Sequence, residues 1–205
     1  MASVLLPAEA TALRHADDRA MISALLAEVP MEPGRGHHTV TSQLSGCFSA
    51  LDQVSGGLFT PDARRAIVSG CDALAQRRLE QAPGHAAAHH LRAEALMAQG
   101  RVTQALSASL SAEAFAPNTA WLDQRRVALL ARVQPPPKGG QALFDRAFVR
   151  LASTPETRLW LAQGYAQDRA LRAAISQSAA AIPASDAQRL IAVIRRLETS
   201  AARRD

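Results

Sequence analysis

The stretch from His89 to Pro117, "HHLRAEALMAQGRVTQALSASLSAEAFAP", constrains the fold more than any other part of the chain. Alanine and larger apolar residues recur at helical spacing on both sides of Gly100, and glycine permits the tight turn that joins two packed helices. Pro117 ends the second segment, because proline has no amide hydrogen to give to a helix. The stretch therefore predicts helices over about 85–99 and 102–115, joined by a turn.

The remaining chain is divided into similar short segments. Thr60-Pro61 and Thr154-Pro155 are helix start signals, and "PPPKGG" predicts an exposed loop because three prolines exclude a helix. Apolar residues make up 48% of the chain and aromatic residues only 4%, a mixture that favours closely packed helices over strands. The sequence predicts an all-α fold of about ten helices, the other eight lying over about 8–28, 39–54, 61–80, 119–133, 141–153, 156–167, 169–182 and 184–200.

Proline closures recur along the chain, and Pro83 lies 34 residues before Pro117. The unit that they delimit resembles the tetratricopeptide repeat (TPR), a helix–turn–helix of 34 residues. His89 and Ser109 depart from the pattern, which usually has a tryptophan and an aromatic residue there. A partial copy begins at "WLAQGYAQ", where Trp160 precedes Gly164 by four residues. The positions that match the repeat are Ala93, Leu96, Ala105, Ala112 and Pro117.

The resemblance implies a TPR-like α-solenoid, in which antiparallel helical hairpins stack along one axis. The repeats are expected over residues 59–183. Residues 1–58 are expected to form an N-terminal helical segment that packs on the array, and residues 184–205 a C-terminal capping helix with a basic tail.

Proteins with such repeats usually bind a peptide or a helix of another protein in a groove lined by the first helix of each unit. The resemblance therefore implies a non-enzymatic adaptor or scaffold. Tyr165 is the preferred anchor in the groove, with packing against the helix 184–200 as the alternative. The expected partner-binding residues are His90, Glu94, Met97, Gln124, Arg125, Leu161, Tyr165 and Asp168.

Two alternative functions stay open, and the first depends on charge. The chain has a net charge of +5 and several arginine pairs, among them Arg195-Arg196. A basic helical repeat protein can bind nucleic acid, although few aromatic residues are present for base stacking. A structural accessory subunit of a bacterial envelope or secretion assembly is the other alternative. Arginines on solvated helix faces explain the same pattern without any partner.

No catalytic motif is apparent, and neither a cofactor nor a metal is expected. His85 and His89, like His90 and Glu94, have the spacing of two ligands on one helix, but no third ligand is close in sequence. Cys47 and Cys71 are expected to be buried free thiols, with pairing in an oxidising compartment as the alternative. No segment has the length of a membrane span. The expected location is the cytoplasm, or the periplasm if a signal peptide was removed.

Overall fold

A computed structural model describes residues 17–133 and 135–202 of the 205-residue chain. These residues form ten α-helices, one short 3-10 turn at Ala179–Ala181 and no β-strand, so the all-α prediction is confirmed. The first half of the helix predicted at 8–28 lies outside the described residues. The helices are α1 Asp18–Leu26, α2 His37–Ser55, α3 Pro61–Gln81, α4 Ala86–Ala98, α5 Val102–Phe115, α6 Ala120–Ala131, α7 Gly140–Ser153, α8 Pro155–Gln167, α9 Arg169–Gln177 and α10 Ala184–Ala202.

The chain divides into two compact units, Met1–Ala116 and Pro117–Asp205. The expected bounds after residues 58 and 183 stay a prediction. Helices α2 and α3 lie on opposite sides of residue 58, and they pack against each other and against α4.

In the first unit, α1 lies across α2 and α3 at two glycines. A Cβ atom added to Gly46 would lie 3.1 Å from Met21 Cβ, and one added to Gly70 would overlap the Leu25 side chain. Met21 and Leu25 are buried at these crossings. A larger residue at either position would require Met21 or Leu25 to shift, so glycine is favoured there by the close approach of a neighbouring helix and not by backbone conformation.

Helices α4 and α5 form the hairpin that the opening stretch predicted. Gly100 has φ 75°, and the Gly100 and Arg101 amides donate to the carbonyls of Met97 and Leu96, each at 2.9 Å. This pair of bonds is the Schellman ending of a helix, in which glycine is favoured because it adopts a left-handed conformation without steric cost. Ala93, Ala105 and Ala112 are completely buried, as their expected role at helix crossings requires.

The expectation of two free thiols was wrong. Cys47 on α2 and Cys71 on α3 form a disulfide, with Cα atoms 5.6 Å apart, and both residues are completely buried. Their separation of 24 residues gives no metal or redox motif in the sequence. Only the packing of α2 against α3 brings the two cysteines together.

In the second unit, α6 packs against α7 and α9, and α8 packs against α7, α9 and α10. Leu171 of α9 lies directly over Gly164, where an added Cβ atom would overlap it. The helix predicted at 169–182 ends earlier, at Gln177, and is followed by the 3-10 turn. The segment 132–139 connects α6 to α7, with Lys138 exposed as predicted and Gly139 at φ 83°.

Candidate functional site

The first unit has a groove between the end of α1 and one face of α3. Its volume is about 680 Å³. The segment that follows α1 forms one wall, and exposed residues of α3 form the floor and the other wall. The residues that line it are Leu25, Glu28, Val29, Pro30, Met31, Asp62, Arg65, Ala66, Ser69, Gly70, Ala73 and Arg77.

The wall of the groove is shaped by the way α1 ends. The Glu28 amide donates to the Leu25 carbonyl at 3.1 Å, and the Val29 amide donates to the Ala24 carbonyl at 3.0 Å. These bonds again form a Schellman motif, but Glu28 occupies the left-handed position, with φ 52°. It is the sole non-glycine residue with positive φ among the described residues. A glutamate in this conformation is strained relative to glycine.

The floor of the groove consists of small side chains on α3. Ala66, Ser69 and Ala73 lie at helical spacing, so they share one face of the helix. The opposite face carries Ile67, Cys71 and Leu74, which are buried in the core of the first unit. Small residues on the exposed face leave room for a partner to approach the helix backbone closely.

Charged side chains of both signs border this floor. Arg65 forms an ion pair with Asp62 on the surface of α3. Arg77 lies near the other end of the helix and also lines the groove. Its guanidinium is suited to an anionic group of a bound molecule.

The framework under the groove is firmly held. The Cys47–Cys71 disulfide joins α3 to α2, and Leu25 presses α1 onto Gly70. The segment that follows α1 is anchored by Gln43, whose side chain accepts from the Gly34 amide at 2.8 Å and donates to the Glu32 carbonyl at 3.0 Å. The groove is therefore built on packed helices and a fixed connecting segment.

The three partner-binding residues predicted in the first unit lie elsewhere, on α4. His90 is completely buried, so it is not accessible to a partner and is removed from the candidate set. Its Nε2 atom lies 3.2 Å from Glu94 Oε1, and its ring lies 6.3 Å from that of Phe48 between centroids. Glu94 and Met97 are half-buried. The repeat register implied by the resemblance placed His90 in the groove, but α2 packs against α4 and brings Phe48 beside the His90 ring.

The five predicted residues of the second unit have different surroundings. Gln124 and Arg125 are half-buried on α6, whereas Leu161 is completely buried in α8 and is removed from the candidate set. Tyr165 is half-buried, with the Arg172 guanidinium 5.4 Å from its ring centroid. Asp168 caps α9, since its carboxylate accepts from the amides of Ala170 and Leu171 at 2.8 and 3.1 Å.

The histidines considered as a metal pair have structural contacts instead. His85 caps α4 through its Nδ1 atom, which accepts from the Ala88 amide at 3.3 Å. Burial, followed by the charge of Arg78, holds the pKa of His85 below its ordinary value. His89 Nε2 lies 2.7 Å from the Pro83 carbonyl oxygen, and its ring stacks on Phe115. Among residues 17–133 and 135–202, no three metal-ligating side chains form a group.

The groove was missed in the sequence, although a signal for it was present. The spacing of Ala66, Ser69, Gly70 and Ala73 marks a face of α3 without large side chains, and such a face is suited to close contact. The segment from Glu28 to Met31, which forms the wall opposite α3, carries no comparable signal.

Comparisons of the chain with models of protein families, with curated proteins and with solved structures found no match. Within the described part of the chain, no helix is both long and apolar enough to cross a membrane.

Proposed function

We propose that this chain is a non-enzymatic protein-binding module, an adaptor or scaffold, which takes a helix or peptide of another protein into the groove between α1 and α3. The observation that carries the proposal is the strained backbone of Glu28 at the wall of this groove. Glycine would occupy the same turn at lower cost. A glutamate there is best explained by a use for its side chain.

The shape of the groove favours a helix or an extended peptide over a small molecule. The floor formed by Ala66, Ser69 and Ala73 extends along the groove, since these residues span two turns of α3. Val29, which is 42% exposed, offers apolar surface along the wall. An apolar stripe of a partner helix fits between this wall and the small residues.

The charges at the border of the groove fix how such a partner lies. Glu28 is placed to meet a cation of the partner, and Arg77 an anion. Two charges of opposite sign at different places along a groove discriminate between the two directions of a bound helix. The groove is therefore expected to select partners by charge order as well as by apolar contact.

The TPR-like architecture belongs to the same proposal. Contacts between α2 and α3, between α3 and α4, and between α4 and α5 support successive helical hairpins in the first unit. The burial of Ala93, Ala105 and Ala112 supports the repeat pattern in α4 and α5. The binding surface that we propose, however, lies on α1 and α3 and not on the face of α4 that the resemblance implied.

We also propose that the protein folds in an oxidising compartment. The support is the buried Cys47–Cys71 disulfide, because disulfides form and persist mainly in secreted and envelope proteins. This proposal replaces the cytoplasm as the expected location. It is compatible with an accessory role in an envelope assembly.

Site-specific photocrosslinking in the cells that make the protein tests the proposed groove. A photoreactive phenylalanine analogue at Ser69, on the groove floor, should give a discrete cross-linked protein. The same analogue at Gln76, which is exposed on α3 outside the groove, is the matched control. Identical products from both positions, or no protein product from Ser69, would contradict the proposal.

A second variant separates binding from folding. Ser69→Arg should fill the groove and abolish the cross-link from an analogue placed at Val29, while the control Gln76→Arg should leave it unchanged. Both side chains are exposed, so neither replacement should lower the melting temperature by more than a degree or two.

A further inference from the structure

The face of α3 that lines the groove has a symmetric order of residues. Ala66 and Ala73 lie at equal distances from the midpoint of this face, which falls between residues 69 and 70. Asp62 and Arg77 also lie at equal distances from that midpoint, further out and with opposite charges. At 3.6 residues per turn, the residues of this order lie within a sector of about 100° around the helix. They are Asp62, Ala66, Ser69, Gly70, Ala73 and Arg77.

A second α3 that runs antiparallel over this face meets the same order of residues. When the two midpoints coincide, Ala66 lies opposite Ala73 of the second copy. At the centre, Ser69 lies opposite Gly70 of the second copy. Small side chains at each of these positions let the two helices approach closely, as packed helices require. The face is therefore complementary in shape to a copy of itself.

The charges of this face are also complementary to those of a second copy. In the antiparallel arrangement, Asp62 lies opposite Arg77 of the second copy, and Arg77 lies opposite its Asp62. Asp62 already pairs with Arg65 on its own helix, but the two side chains are 85% and 76% exposed. Because an ion pair this exposed contributes little to stability, the Asp62 carboxylate can accept from a second guanidinium as well.

We infer that the groove takes helix α3 of a second copy of this chain, so that two first units form an antiparallel dimer with two-fold symmetry. The inference rests on the proposed function, since it uses the same groove, and it names the helix that is bound. A two-fold axis makes the two ion pairs equivalent and closes the interface, as in other isologous contacts. Val29, which is 42% exposed on the wall, lies beside the helix that enters.

The order of the charges selects this arrangement over others. In a parallel pair, Asp62 would lie opposite Asp62 of the second copy, and the two Arg77 side chains would also face each other. A partner of one sign of charge, whether an acidic segment or a basic one, would meet a like charge at one end of α3. Only a helix with opposite charges at its two ends and small residues between them fits, and α3 itself has this order.

Sedimentation equilibrium with the purified, oxidised full-length protein tests the inference. The wild type should form a dimer. Asp62→Arg places two arginines opposite each other at both ends of the contact, and Arg77→Asp places two aspartates there. Each variant should therefore raise the dissociation constant of the dimer about tenfold or more. An equimolar mixture of the two variants should recover the affinity of the wild type to within about threefold, because the arginine of one then faces the aspartate of the other.

The matched control is Arg64→Asp, since Arg64 is exposed on the side of α3 away from the groove. This control should dimerise like the wild type, and it should not restore dimerisation when mixed with Asp62→Arg. Circular dichroism melting of each variant alone checks that it is folded. A monomeric wild type, or a mixture of the two groove variants that associates no better than either alone, would overturn the inference.

Photocrosslinking from Ser69 in cells separates this inference from the proposed function. A product with twice the mass of the chain, which contains only this protein, supports both. A product that contains a different protein and no second copy supports the proposed function but overturns the inference. The absence of any protein product contradicts both.

Discussion

Glu28 and Ser109 occupy positions in the first unit that other side chains would suit better. Glu28 has φ 52°, in the left-handed region that favours glycine. Ser109 is completely buried in α5, and its hydroxyl has no hydrogen-bond partner among the described residues. Each of these residues lowers the stability of the folded protein. Glu28 lies at the proposed binding site, whereas Ser109 lies in the core.

Replacing Glu28 with glycine should stabilise the protein. The left-handed conformation costs a non-glycine residue about 1–2 kcal/mol. Glycine avoids this cost, but it loses more conformational entropy on folding, which offsets part of the gain. The free energy of unfolding, measured by urea denaturation, should rise by up to about 1 kcal/mol. Glu32→Gly is the control, because Glu32 is exposed without positive φ. If both variants lose stability equally, Glu28 is not strained.

Replacing Ser109 with alanine should also raise stability, by about 1 kcal/mol, because the buried hydroxyl loses its hydrogen bonds to water on folding without replacement. Thermal melting followed by circular dichroism measures the effect. Ser107→Ala on the same helix is the matched control, since Ser107 is exposed and should change by less than about 0.5 kcal/mol. A lower melting temperature for Ser109→Ala would mean that the hydroxyl has a partner.

Two features act at the level of whole helices in the first unit. The Cys47–Cys71 disulfide fixes α2 against α3, and the His85 side chain caps α4. The disulfide is a covalent link between two helices. The His85 side chain accepts a hydrogen bond from an amide at the start of one helix. This bond requires the neutral imidazole, because a protonated ring nitrogen has no lone pair with which to accept.

Reduction of the disulfide should destabilise the first unit by about 3 kcal/mol, as expected from the loop that it closes in the unfolded chain. Its ends are 24 residues apart. Urea denaturation with and without dithiothreitol measures this difference. A variant with both Cys47→Ala and Cys71→Ala should show no response to dithiothreitol. A wild-type protein that does not respond either would show that the two thiols are not linked.

Acidification should destabilise the protein through His85. The ordinary pKa of histidine is 6.5, and burial lowers the pKa of His85 in the folded state. The folded state therefore binds fewer protons than the unfolded state, so the contribution of His85 is complete above about pH 6.5 and is lost as the pH falls below that value. Urea denaturation should show that the free energy of unfolding falls less between pH 7.5 and pH 5.0 in His85→Asn than in the wild type.

Asparagine replaces His85 because its side chain still offers an acceptor for the Ala88 amide but does not titrate. His38→Asn is the matched control, because His38 is exposed. This control should retain the acid sensitivity of the wild type. The role of His85 would be rejected if the His85 and His38 variants lost the same amount of stability between the two pH values.

For the whole molecule, the division into two compact units has consequences for both function and folding. The proposed groove lies in the first unit. The disulfide also lies in the first unit, whereas both tryptophans, Trp121 and Trp160, lie in the second. Reduction therefore perturbs the first unit, and tryptophan fluorescence reports the unfolding of the second.

This arrangement predicts that reduction affects the two probes differently. Dithiothreitol should lower the urea midpoint for part of the helical circular dichroism signal, because the first unit loses its disulfide. The midpoint measured by tryptophan fluorescence should change little, since most contacts of each unit are internal. If the fluorescence midpoint shifted as far as the circular dichroism midpoint, the two units would unfold as one cooperative system.

The sequence alone predicted most helices to within two or three residues at each end. The start of α3 shows why: Thr60 Oγ1 accepts from the Ala63 amide at 3.4 Å, and Pro61 occupies the first helical position. The turn at Gly100 and the burial of Ala105 and Ala112 were predicted equally well. These features depend on residues within about four positions of one another or on the pattern inside one hairpin, which a sequence displays directly.

Which helix faces meet was decided by the tertiary structure alone. The repeat register placed His90 and Leu161 in the groove, but α2 packs against α4 and α8 has three neighbours, so both residues are buried. The same packing brings Cys47 to Cys71 and leaves one face of α3 open beside Glu28. Alanine-rich helices present similar faces to many neighbours, and the choice among them depends on the total packing energy of contacts between residues far apart in the chain.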